Sequence, residues 1–175
     1  LEAQAVPEGE VRRLLPPGTL GSDGRDPIFL SAEGQLAWTP GMDRLVEAEE
    51  WAQELQVHLV DGTGEPEVLH LSDDVRETYY RPITWVPGTR LLLAGRGLLS
   101  ASLWVDGVPL VAIDAESGEI TELGVTMLLT SEAYDWHPSQ PGLLALAAGG
   151  GRFINENKRL ALLDVTTGDL TYLTG

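Results

Sequence analysis

Three histidines, no cysteine and an excess of acids are what this 175-residue chain has for chemistry, and their spacing decides what they can do. The lack of cysteine removes thiol catalysis, disulfides and thiolate metal sites, and leaves the compartment open. His58 and His70 fall on the two arms of one expected hairpin, with Asp61, Glu65 and Glu67 nearby. Imidazole and carboxylate together suit a divalent metal, but no HxH or HExxH spacing accompanies them, so no metal ligand is assigned. In "YDWHPS", Asp135, His137 and Ser139 stand close in sequence. A nucleophile needs its base converging in space, whereas neighbours along a strand alternate faces, so this is not read as a triad. No GxSxG elbow is present. The stretch "AAGGGRFINENKR" (147–159) carries Arg152 and Lys158, yet lacks the GK[ST] or following helix of a phosphate cradle and reads as a long loop. "SDGRD" (22–26) and "NEN" (155–157) resemble pieces of calcium loops without the full ligand ladder. Catalytic residues and cofactors are therefore expected to be none, with calcium the one ion left open.

The charge balance narrows the partners. Against 27 Asp+Glu stand 11 Lys+Arg, a formal net charge of −16, which repels nucleic acid because affinity there comes from neutralising phosphates. The acids crowd between Asp43 and Glu77, where only Arg44 and Arg76 oppose them. Such a belt hydrates the surface or faces a cationic partner or divalent ions. No apolar run approaches the ~20 residues of a membrane-spanning helix, so no membrane insertion is expected. Leu1 in place of an initiating methionine predicts a processed, trimmed or partial chain.

The elements that would position these residues come from a repeat. "LAWTPGMDRLVEA", "ITWVPGTRLLLAG" and "YDWHPSQPGLLALAA" place Trp38, Trp85 and Trp136 before proline-containing turns, about 50 residues apart. A glycine-turn hairpin follows each: "LQVHLVDGTGEPEVLHL", "PLVAIDAESGEITEL" and "LALLDVTTGDLTYLT". The opening "AQAVPEGEVRRLL" is a fourth copy of that hairpin. Each unit predicts four short antiparallel strands. The first ends at the tryptophan, the second is "RLVEA", "RLLLA" or "LLALA", and the last two form the hairpin. The repeat overrides a helical periodicity in "MDRLVEAEEWAQELQVHL" and predicts strand, loop and strand there. The three tryptophans are expected in equivalent, mostly buried places.

The pattern of tryptophan, Pro-Gly turn, apolar strand and "D-x-x-[ST]-G" hairpin resembles the blades of TolB-type β-propellers, with "LALLDVTTGDLTYLTG" the nearest match. "TPG", "VPG" and "HPSQPG" stand where that family has Ser-Pro-Asp-Gly. The resemblance implies an all-β fold of four-stranded antiparallel propeller blades. The ring would be incomplete, as a fragment of a larger protein or a unit assembled from several chains. Residues 1–15 would be the last hairpin of a preceding blade, 16–35 a connector, and 36–71, 82–123 and 134–175 three blades of a single partial propeller. Apolar end blades would then favour self-association.

In propellers of this kind the connections between blades lie around one face. "SDDVRETYYRP" (72–82) is such a connection, and it combines aromatic and arginine side chains that dominate binding hot spots. Asp73, Asp74, Arg76, Tyr79, Tyr80 and Arg81, with Trp51 from a neighbouring loop, are the expected partner-binding residues. The functional expectation is a non-catalytic scaffold for a protein or peptide, periplasmic or extracellular. The alternatives are the non-catalytic propeller of a larger peptidase or hydrolase, and a structural repeat segment of a large surface protein.

Overall fold

The computed structural model describes residues 2–4, 11–13, 28–32, 34–40, 45, 49, 51–59, 67–98, 106–152 and 157–174. It is all-β and antiparallel. A short hairpin, β1 (Glu2–Gln4) with β2 (Val11–Arg13), pairs Glu2 with Arg13. Three four-stranded meanders follow. The first sheet is β3 (Ile28–Leu30), β4 (Gln35–Trp38), β5 (Gln53–Leu59) and β6 (Glu67–Ser72). The second is β7 (Tyr79–Trp85), β8 (Leu91–Gly97), β9 (Val108–Asp114) and β10 (Ile120–Met127). The third is β11 (Tyr134–Trp136), β12 (Leu143–Ala148), β13 (Arg159–Asp164) and β14 (Leu170–Tyr172). The second and third sheets join where Met127 of β10 pairs with Ala148 of β12. Among the described residues no sheet closes on itself, and no helix is long and apolar enough to cross a membrane.

Two apolar layers hold the sheets face to face. Leu55, Val57, Leu69 and Leu71 of the first sheet pack with Trp85, Leu92, Ala94, Val111 and Ile113 of the second. Leu93, Leu110, Ala112 and Met127 on the other side of the second sheet pack with Leu144, Leu146, Ala161 and Leu163 of the third. Strand residues alternate faces, so "LLLA" and "LVAI" bury both sides of the middle sheet. The indole of Trp85 also donates to the carbonyl of Phe29 at 2.9 Å, tying β7 to β3.

The tight turns repeat in atomic detail. Asp114 Oδ1 accepts from the N–H of Glu116 and Ser117, both at 2.9 Å. Asp164 Oδ1 accepts in the same way from Thr166 at 2.9 Å and Thr167 at 3.3 Å. In both turns a glycine, Gly118 or Gly168, closes the loop at φ +73° or +78°, donating its N–H to the aspartate carbonyl. The carboxylate of Asp164 is held below its usual range, first by the hydroxyl of Thr166 and then by these backbone donors. The "D-x-x-[ST]-G" motif is thus a turn built by one aspartate, as the hairpin pattern predicts.

The first sheet departs from the predicted register. Trp85 and Trp136 end first strands and pair with the second residue of β8 and β12, Leu92 and Leu144. Trp38 instead ends a second strand, opposite Ile28. The turn that reverses this chain runs from Ser31 to Gly34, where Ser31 Oγ accepts from Gln35 N–H at 3.0 Å and Gly34 takes φ +82°. That places β3 inside the stretch 16–35 expected as a connector. The second strand is Gln35–Trp38, between β3 and β5; of "RLVEA", only Leu45 is among the described residues, and it is helical and buried. A four-residue Ser-to-Gly turn closes a hairpin more economically than the longer route through "TPGMD", and β4 then pairs directly with β5.

Two glycines distinguish backbone freedom from close approach. A Cβ at Gly168 would meet nothing within 4 Å, so Gly168→Ala carries only the left-handed backbone penalty, about 1 kcal/mol. A Cβ at Gly107 would lie 2.4 Å from the Gly149 carbonyl oxygen. Gly107→Ala must therefore push neighbouring backbone segments apart and should cost more, about 2–3 kcal/mol. Urea denaturation of the two variants checks the order.

Candidate functional site

An antiparallel meander puts its first-to-second and third-to-fourth turns at one end and its other connections at the opposite end. The tight turns around Gly34, Gly88, Gly118, Gly142 and Gly168 therefore share one end of the sheets. The longer connections, after β4, β6, β8, β10 and β12, share the other. The β4–β5 and β6–β7 connections meet there, where Val75 N–H donates to the Trp51 carbonyl at 2.7 Å.

This contact builds a small preorganised surface. Val75 is fully buried with Leu45 and Tyr79, and Trp51 packs against them. With Val75 as an anchor, the turn from Asp74 to Thr78 is closed by Glu77 and Thr78 N–H donating to the Asp74 carbonyl. Asp74 Oδ1 accepts from Arg76 N–H at 2.9 Å and Arg76 Nε at 2.8 Å, and Oδ2 accepts from Nη2 at 2.5 Å. The fork so held lies over the indole of Trp51, 4.4 Å from the ring centroid, a cation–π arrangement. Arg76 holds the Asp74 carboxyl below its ordinary range, chiefly by the side-chain hydrogen bonds, and Asp74 in turn raises Arg76.

Of the seven residues expected here, the structure brings together Trp51, Asp74 and Arg76. Asp73 turns away and pairs with His70, Nε2 to Oδ1 at 3.0 Å. Tyr79, Tyr80 and Arg81 belong to β7 rather than to the loop. Arg81 is exposed and Tyr80 half-buried, while Tyr79 is 3% exposed, so its ring is core and not a surface anchor. Tyr80 is joined to the cluster by Gln53. The buried Gln53 amide donates to the Tyr80 carbonyl at 2.6 Å and accepts from the Tyr80 N–H at 2.9 Å, copying the two bonds a neighbouring strand would make. Gln53 also lies 3.5 Å from Thr39 Oγ1, which donates to the Glu54 carbonyl. Neither Gln53 nor Val75 carries a signal in the sequence, because their partners are distant in the chain.

The other sequence candidates separate in space. β5 and β6 set Glu54 opposite His70 and Val57 opposite Glu67, so the backbone of His58 lies roughly 13 Å along the strand from the position facing His70. Among the described residues no three metal-binding side chains cluster. Asp61, Glu65, "SDGRD" and Trp104 lie outside the described residues, as do Asn155 and Glu156 of "NEN". His137 is a turn cap: its Nδ1 accepts from the N–H of Ser139 at 3.3 Å and Gln140 at 3.0 Å. The glycine-rich loop is gripped by Lys158, whose ammonium donates to the carbonyls of Gly149 at 2.5 Å and Gly151 at 2.6 Å. Burial pushes that ammonium below its usual value, with Asp106 opposing. An open hollow of about 300 Å³ beside it is lined by Thr126, Asn157, Arg159 and Tyr172.

Two outcomes test this geometry. Gln53→Leu leaves the Tyr80 N–H and carbonyl without partners and should lower stability by about 2–4 kcal/mol in thermal or urea melts. Asp74 has a depressed folded-state pKa, so its contribution is present above the unfolded value near ~3.9 and is lost as pH falls through the lower, folded value. Acidification below about pH 4 should therefore loosen Arg76 from Trp51. The fluorescence difference between the parent chain and Trp51→Phe should change there, and Asp74→Asn should abolish that step.

No family model matches the chain, and no curated protein is significantly similar to it.

Proposed function

We propose that this chain is a non-catalytic scaffold whose sheets are blades of an incomplete β-propeller similar to the TolB type, and that it binds a protein or peptide segment through its connector end. In this reading it works in the cell envelope, in the periplasm or outside the cell. The observation that carries the reading is the Trp51–Arg76–Asp74 unit. A guanidinium stacked on an indole and fixed by a carboxylate loses little side-chain freedom on binding. Arginine and tryptophan are also the side chains most often found at binding hot spots. The unit sits where connections from two sheets meet, and binding residues concentrate on such loops when a rigid framework holds them.

The charge of −16 selects the partner's character. A basic or neutral segment approaches this surface with electrostatic help, and an acidic one against a barrier. In this reading the exposed Arg81 and the half-buried Tyr80 of β7 also contact the partner, and Asp73, paired with His70, adds charge near the connector. Exposed charges act over ~8–10 Å at ordinary ionic strength, so Asp73 contributes to the rate of encounter more than to the bound state.

Peptides selected from a displayed random library on the immobilised chain supply the test. Trp51→Ala and Arg76→Ala should each weaken the selected peptides at least ~10-fold. Arg90→Ala, at the tight-turn end where Arg90 pairs with Glu116, should leave them unchanged. Asp73→Asn should slow association at low salt and make little difference at high salt. Peptides that bind all these variants alike would show that the connector is structural only.

A further inference from the structure

The gap between the first and second sheets holds an acid that the gap between the second and third lacks. Glu122 of β10 lies opposite Val111 of β9, and Tyr172 of β14 lies opposite Ala161 of β13. Val111 belongs to the layer between the first and second sheets, and Ala161 to the layer between the second and third. Residues directly opposite across an antiparallel pair share a face. Glu122 therefore faces the first gap, and Tyr172 takes the corresponding place in the second. In the first gap the acid is used, because Arg96 pairs with Glu122. In the second gap Arg159 shares the side of Ala161, by alternation along β13. Its guanidinium lies over the Tyr172 ring, 5.0 Å from the centroid. Arg76, Arg90, Arg96 and Arg152 each pair with an aspartate or glutamate. Among the described residues Arg159 pairs with none.

The place beside Arg159 is open. β10 and β12 share one register pair, Met127 with Ala148, and the hollow of about 300 Å³ opens where the two strands part. Gly124 and Thr126 line it from the second sheet, and Asn157, Arg159 and Tyr172 from the third. Arg159 is the one charged side chain among these described residues, in a chain with 27 acids. Gly124 turns at φ +65°, and a Cβ there would meet nothing within 4 Å, so this wall presents backbone and free space.

We propose that this hollow binds one carboxylate group, that of a small acid or of a peptide's C-terminus, on the Arg159 guanidinium. The Arg96–Glu122 pair shows what an arginine takes in the preceding gap. A guanidinium held on a ring keeps its N–H edge free for the two oxygens of a carboxylate, whose planar fork it matches. The Thr126 hydroxyl and the Asn157 amide are donors for the lone pairs that remain. The charge of −16 opposes a phosphate dianion or a polyacid more than a single carboxylate. The hollow's volume is at the small end of ligand sites. The site uses only the second and third sheets and does not rest on the Trp51–Arg76 unit.

NMR titration of the nitrogen-15-labelled chain tests it, with propionate and with acetyl-dialanine bearing a free C-terminus. Propionamide and the amide-capped peptide are the neutral controls. The acids should shift the amide signals of Gly124, Thr126 and Asn157 saturably, with a dissociation constant on the order of 1 mM, and the controls should not. Tighter binding of the peptide assigns the carboxylate to a chain terminus, and equal binding assigns it to a small acid. Arg159→Gln should weaken the acids at least ~10-fold. Arg159→Lys keeps the charge without the fork and should fall between. Arg90→Gln, at the tight-turn end, should change nothing. Equal shifts from acid and amide, inorganic phosphate binding as tightly as the acids, or unchanged affinity in Arg159→Gln overturns the proposal.

Discussion

Leu92 and Leu93 are neighbours in β8, so they project to opposite sides of the second sheet, and neither has measurable exposure. That double burial is the constraint on which the remaining structure depends. A sheet that is apolar on both faces cannot stand in water alone and needs a sheet on each side, which the first and third supply through two separate apolar layers. Fully burying a leucine contributes about 1.5–3 kcal/mol relative to leaving it exposed, so the layers outweigh any single turn or ion pair. The surface pairs Arg96–Glu122 and Arg152–Asp106 are of the exposed kind that contributes little.

With the stack held by its layers, the two ends are free to differ. At one end the described tight turns are short and internally satisfied: an aspartate, a serine, a threonine or a histidine caps each of them. Little there remains to bond elsewhere. At the other end the chain must travel from sheet to sheet, and the connections are longer and carry arginine, aspartate and indole side chains. Val75 converts one of these connections into a rigid surface by sinking into the core beside Leu45 and Tyr79. Gln53 does the same for the start of β7 by supplying a strand's hydrogen bonds from a side chain.

What could be read from the residues follows from how local each signal is. The D-x-x-[ST]-G turns were legible because the aspartate, its donors and the glycine lie within five residues, as were the second strands "RLLLA" and "LLALA". The first sheet was misread because Trp38 occurs in a phrase like those around Trp85 and Trp136, while the local signal that decides the hairpin, Ser31 through Gly34, stood just before it.

The sequence by itself determined that this is an antiparallel all-β chain, since strand periodicity and turn chemistry act between near neighbours. It also determined the acidic surface. Only the tertiary structure decided that Trp51 meets Arg76, that Tyr79 is core while Tyr80 is half-buried, that Gln53 serves Tyr80, and that Leu160 is exposed where Leu110 is buried. Each of these depends on which sheet lies opposite a given face or which connection crosses a given end. That is settled by packing between segments tens of residues apart, for which a single sequence carries no local mark.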